Sequence, residues 1–127
     1  MISAIRSYFT SLKASAAFGH ASRLRDAGRK DEALVAGREC LELLRKPWVH
    51  RNHFAAGSVL VTCTVLVEEL AASINKPGAE PRDIADSITF LKQLPSKPQG
   101  TADDFRNWIP YLEGRTSSQR GNEASAV

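Results

Sequence analysis

The chain has 127 residues, 43% of them hydrophobic and 24% charged, enough for one domain to bury a core without disulfides or a structural metal. A formal charge of +3 and a pI near 9.1 are too mild to imply a nucleic-acid partner, which calls for Lys and Arg clustered along one face. The two cysteines, Cys40 and Cys63, have no CxxC spacing and no further ligands nearby, so they read as buried free thiols rather than a zinc or redox motif.

The basic character sits at the start: residues 1–25 carry Arg6, Lys13, Arg23 and Arg25 and no acid. The opening has no secretory apolar core, and the longest uncharged run, residues 54–67, is shorter than the ~20 residues that span a bilayer. A cytoplasmic, reducing setting is expected. A basic, acid-free, Ser- and Ala-rich opening is also the composition of an organellar transit peptide. Here, however, the apolar spacing runs unbroken into a helix of structural character, which a cleaved leader would not do.

In chain order, apolar residues recur at three and four from Ile2 onward, giving a stripe through Ile5, Phe9, Leu12, Ala16, Ala17, Ala21 and Leu24. This predicts a first helix over residues 2–27, ended by Gly28, which takes a positive φ at little steric cost. A second helix is expected over residues 30–45, with Asp31 and Glu32 in its first turn and Arg45 at its end. The short connection makes the two an antiparallel hairpin.

Within that hairpin, Ala21, Leu24, the turn residue Gly28, the run Asp31-Glu32-Ala33, Cys40 in a small-residue position and the closing Pro47 resemble a tetratricopeptide repeat over residues 17–47. The sequence departs from the family pattern at Ala17 and Gly37, where larger residues are usual, and its first helix reaches about four turns too far back. The resemblance implies a helical hairpin of the kind that stacks into protein-binding grooves.

Pro47 suits the first turn of a third helix, expected over residues 48–74. Its uncharged centre must be buried. Residues 59–67 are rich in β-branched side chains, which favour a strand. The helical spacing continues into Leu66, Leu70 and Ile74, however, and nothing offers a lone strand a pairing partner. The run Asn75-Lys76-Pro77-Gly78 breaks the helix. A fourth helix opens at Pro81 with the stripe Ile84, Ile88, Leu91 and Leu94, and Pro95 closes it.

Thr101 with Asp104 forms a near capping box ahead of a short fifth helix, in which Phe105, Trp108, Ile109 and Leu112 share a face and Pro110 is a candidate kink. After residue 113 no large apolar residue remains before the terminal Val127, so residues 114–127 are expected to be a disordered tail on a single α-helical domain of residues 1–113.

No set of catalytic residues stands out. His50 and His53 share a helical face but lack the third and fourth ligands that a metal needs. His20 is expected to be packed or partner-facing. Adjacent carboxylates at Glu68-Glu69 and Asp103-Asp104 diverge on a helix and read as solvated charge. No phosphate-cradling glycine loop is present.

The expectation is therefore an all-α, non-enzymatic protein of two antiparallel hairpins and a short C-terminal helix, with no catalytic residue, metal, cofactor or small-molecule substrate. It would bind another protein as an adaptor, a dedicated chaperone or an inhibitor of immunity type, or self-associate through its first helix. Two surfaces are candidates for partner binding: the aromatic group Phe105, Trp108 and Tyr111, and the basic side of the first helix with Arg6, Lys13, Arg23 and Arg25. The alternative is a peripheral binder of membranes or other anionic surfaces through that basic amphipathic helix.

Overall fold

A computed structural model describes residues 2–49, 54–93 and 108–115. The regular elements among the described residues are all helices, with no strand. Helix α1 is Ile2–Asp26, α2 Lys30–Leu44, α3 Phe54–Ser73 and α4 Pro81–Gln93; residues 108–115 form α5. Helix α1 packs along α2 and reaches α3, α2 packs on α3, and α3 on α4. The β-branched run 59–67 is helical because burial on nearly every side outweighs its strand propensity.

Helices α1 and α3 end by the same device. Gly28 has φ +80°, Gly28 N–H donates to Arg25 C=O at 2.9 Å, and Arg29 N–H donates to Leu24 C=O at 2.9 Å. Asn75 at φ 56° repeats the pattern, with Lys76 N–H donating to Ala71 C=O at 2.9 Å. Both close the last turn with a left-handed residue that satisfies otherwise orphaned carbonyls.

The expected start of the third helix is corrected. Residues 45–49 form turns rather than a first helical turn at Pro47, and Val49 N–H bonds back to Lys46 C=O at 3.0 Å. The turn buries Val49 and brings the Trp48 indole N–H to Thr10 Oγ1 at 2.9 Å. The described helix α3 is Phe54–Ser73.

Close approaches set the layers. Ala21 on α1 and Ala33 and Ala36 on α2 are buried, and the two helices pack along each other. A Cβ at Gly37 would lie 2.7 Å from Val67 Cγ2, so the glycine that departs from the repeat pattern is where α3 meets α2. Cys63 Sγ–H donates to Gly37 C=O at 3.2 Å. On the other side of α3, Gly57 faces the Phe90 ring with no room for a side chain, and Ser87 Oγ bonds Thr64 Oγ1 at 3.2 Å. The segment Ala56–Ser73 has the length and mean hydropathy (1.4) of a membrane span, but 67% of it is buried inside the protein; packing accounts for its composition.

Charged groups lock the far ends together. Asp83 in the first turn of α4 is fully buried and paired with the Arg45 guanidinium beyond the end of α2. Hydrogen bonding to Asp83 raises the Arg45 pKa further above its ordinary value. Glu68, expected to be solvated, is instead fully buried: its Oε1 accepts Ala79 N–H at 2.5 Å and its Oε2 accepts Arg115 Nε–H at 2.7 Å. Glu69 beside it is exposed, since adjacent helical residues face different ways. The α3–α4 connection closes over the Glu68 carboxylate because Gly78 leaves it space.

Candidate interaction surface

Helix α1 carries two apolar faces, and the larger one is outside. The core side is made of Thr10, Ala14, Ala21 and Leu24, all under 9% exposed, with Ala17 half-buried between them. These residues recur at three and four on the buried side of α1, the helix that packs along α2. Ile5, Phe9 and Leu12, which the sequence places on one stripe with Ala21 and Leu24, are 56%, 56% and 48% exposed, and Tyr8 is 63% exposed. Ala16 on the same side is also exposed. The continuous sequence stripe is thus two stripes, a bulky outer one in the N-terminal half and a small inner one that continues to Leu24. Close approach to α2 selects the small side chains, and bulky ones there would hold the helices apart.

Between the outer stripe and the 45–49 turn lies a shallow groove of about 540 Å³ lined by Ile5, Arg6, Phe9, Thr10, Lys13 and Trp48. Two contacts hold its wall. Trp48 is tied to Thr10 through its indole N–H, and the Arg6 guanidinium carbon sits 4.8 Å from the centre of a Trp48 ring, a cation–π distance. Tyr8 and Phe9 meet edge to face at 5.9 Å.

The predicted basic residues divide into two groups. Arg6 and Lys13 line the groove. Arg23 and Arg25 lie near the other end of α1, about 26 Å along the axis from Arg6, and Arg25 Nε is 3.3 Å from Asp26 Oδ1. The aromatic group is placed differently. Trp108 packs against the core and its ring meets Tyr111 edge to face at 6.4 Å; Leu112 beside them is fully buried. Trp108 therefore helps cover the helix bundle, and Tyr111, 36% exposed, is the open part of this group. Partial burial, with the Glu69 charge second, raises the Tyr111 pKa above its usual value. The helix runs through Pro110 to Arg115, so residues 114 and 115 are helical.

Phe105, His50, His53, Leu94, Thr101, Asp103, Asp104 and residues 116–127 lie outside the described residues. His20 is exposed on α1. Among the described residues no three His, Cys, Asp or Glu side chains gather as a metal set. Cys40 and Cys63 are fully buried; interaction with the Cys40 side chain and then burial push the Cys63 thiol pKa up. Trp48 was the residue missed by sequence reasoning. Its signal was a large aromatic just beyond a proline that was read as a helix start.

No protein family matches the chain, and no curated protein or solved structure shows significant similarity to it.

Proposed function

We propose that this chain is a non-enzymatic interaction module: two antiparallel helical hairpins of tetratricopeptide-like plan that hold another protein on the outer face of α1. Adaptor, dedicated chaperone and inhibitor are the roles such a module fills. The observation that carries the reading is the row Ile5, Tyr8, Phe9 and Leu12, each about half exposed or more on one helix face. Isolated exposed apolar side chains are ordinary, but a contiguous large-residue patch beside a groove is the mark of a binding surface. Covering the exposed half of each would contribute about 1 kcal/mol apiece, roughly 4 kcal/mol together. That is a useful part of a micromolar to nanomolar interface.

The test compares wild type with the Ile5→Ser/Phe9→Ser variant in affinity purification from nuclease- and detergent-treated lysate of the source cells. A stoichiometric protein recovered by wild type and lost with the variant supports the reading. Equal recovery by both would move the interface off α1, and recovery of lipid alone before detergent would favour the anionic-surface alternative that Arg6 and Lys13 also suit.

A further inference from the structure

Resting on that reading, we infer that the occupant of the α1 groove is an acidic amphipathic helix of another protein, with two carboxylates about two turns apart flanking an apolar row. The charge of the groove selects the partner. Its two ionisable lining residues, Arg6 and Lys13, are both basic, and α1 holds no acid before Asp26. They are seven residues apart on one helix, about 10.5 Å along its axis. A partner helix lying along α1 meets both with acids at i and i+7, while apolar side chains between them reach Ile5, Phe9 and the Trp48 wall. Opposed charges at the rim set register and partner choice, and the apolar row supplies most of the attraction.

The same charges argue against two other occupants. A second copy docking α1 against α1 brings Arg6 and Lys13 of each chain together with no acid on either helix to neutralise them. A lipid surface suits a helix whose aromatic anchors present their polar tips at the headgroups. Here the Trp48 N–H donates to Thr10, which is itself 8% exposed, so Tyr8 is the one aromatic of the stripe and its groove left with a free polar tip, and the surface beside the stripe is a groove rather than a flat face. A recess accepts protruding side chains of a protein.

The experiment is a selection from a displayed library of helices with a fixed Leu row and random Asp, Glu, Lys, Arg, Ser or Gln at two flanking positions seven apart. Wild type, Phe9→Ser and Arg6→Glu/Lys13→Glu serve as baits, each checked for native helicity by circular dichroism. The expected result is at least ten-fold enrichment of acids over bases at both positions on wild type, loss of binders on Phe9→Ser, and reversal to bases on the double variant. Enrichment without charge preference, still lost on Phe9→Ser, would overturn the acidic partner and leave the protein-binding reading standing. No enriched helix, together with binding to vesicles of 30% phosphatidylserine in phosphatidylcholine, would overturn both. No enriched helix with a concentration-dependent dimer that Phe9→Ser abolishes would replace the acidic partner by a second copy. No binding of any kind would overturn the acidic helical partner, and the affinity purification would then decide the protein-binding reading on its own.

Discussion

Replacing Glu68 by Ala tests whether one buried carboxylate holds the α3–α4 connection and the C-terminal helix to the core. The side chain is fully buried and accepts Ala79 N–H at 2.5 Å and Arg115 Nε–H at 2.7 Å. Removing it takes the acceptor from a buried N–H, which costs about 1–3 kcal/mol. The space left by the side chain adds about 1–2 kcal/mol. The Arg115 side chain is 32% exposed, so solvent screens its lost pairing to about 1 kcal/mol or less. The sum is about 4 kcal/mol. For a chain of this size that lowers Tm by about 15 °C, out of a total stability of about 5–15 kcal/mol. Glu68→Gln keeps an acceptor and the shape and should cost about 1–2 kcal/mol, while Arg115→Ala, which leaves the buried Glu68 carboxylate without its guanidinium, should cost about 1–3 kcal/mol. Urea unfolding followed at 222 nm gives the three values, and hydrogen exchange at Ala79 gives the local effect. That amide should exchange faster in Glu68→Ala and little changed in Arg115→Ala. A Glu68→Ala loss below about 1 kcal/mol, or one matched in full by Arg115→Ala, would refute the account, because the loop contact would then contribute nothing of its own.

The two faces of α1 should respond oppositely: Phe9→Ser is expected to change stability by less than about 0.5 kcal/mol, whereas Ala21→Leu, at a site with 0% exposure, should cost about 1–3 kcal/mol by overpacking. Equal losses in denaturant melts would mean that the outer stripe is part of the core. Gly57→Ala should cost about 1–3 kcal/mol, since its Cβ meets the Phe90 ring; pairing it with Phe90→Leu should recover part of the loss, and purely additive melts would show that the collision is not the cause. The Cys63 pKa is raised above its ordinary value of 9.0, so the folded state holds the thiol proton more tightly than the unfolded chain. Its contribution is therefore complete below about pH 9 and lost as pH rises, by about 1.4 kcal/mol per pH unit. Stability measured from pH 8 to 10.5 should show this fall in wild type and a shallower one in Cys63→Ala; identical slopes would assign the fall to other groups.

Local chemistry makes much of the framework legible in the order of residues. Gly28 and Asn75-Lys76-Pro77-Gly78 mark helix ends because a left-handed residue or a missing N–H acts on its immediate neighbours, and Pro81 marks a start for the same reason. The uncharged run at 54–67 announces burial, and its continuation at helical spacing into Leu70 and Ile74 settles helix over strand.

Tertiary structure alone decided three things. It chose which face of α1 is inner: periodicity gives equal weight to Ile5-Phe9-Leu12 and Ala14-Ala21-Leu24, and the small surface of Ala33 and Ala36 on α2 selects the second. It made Glu68 a buried tie rather than a solvated charge, because the N–H of Ala79, eleven residues on, and the guanidinium of Arg115, 47 residues on, converge on it. It also built the groove, since Trp48 joins Thr10 across 38 residues of sequence. The helix ends at Gly28 and Asn75 depend on a few adjacent dihedrals and hydrogen bonds, so the sequence alone marks them; the turn after Pro47, the orientation of a face and the burial of a charge depend on what distant segments bring to them.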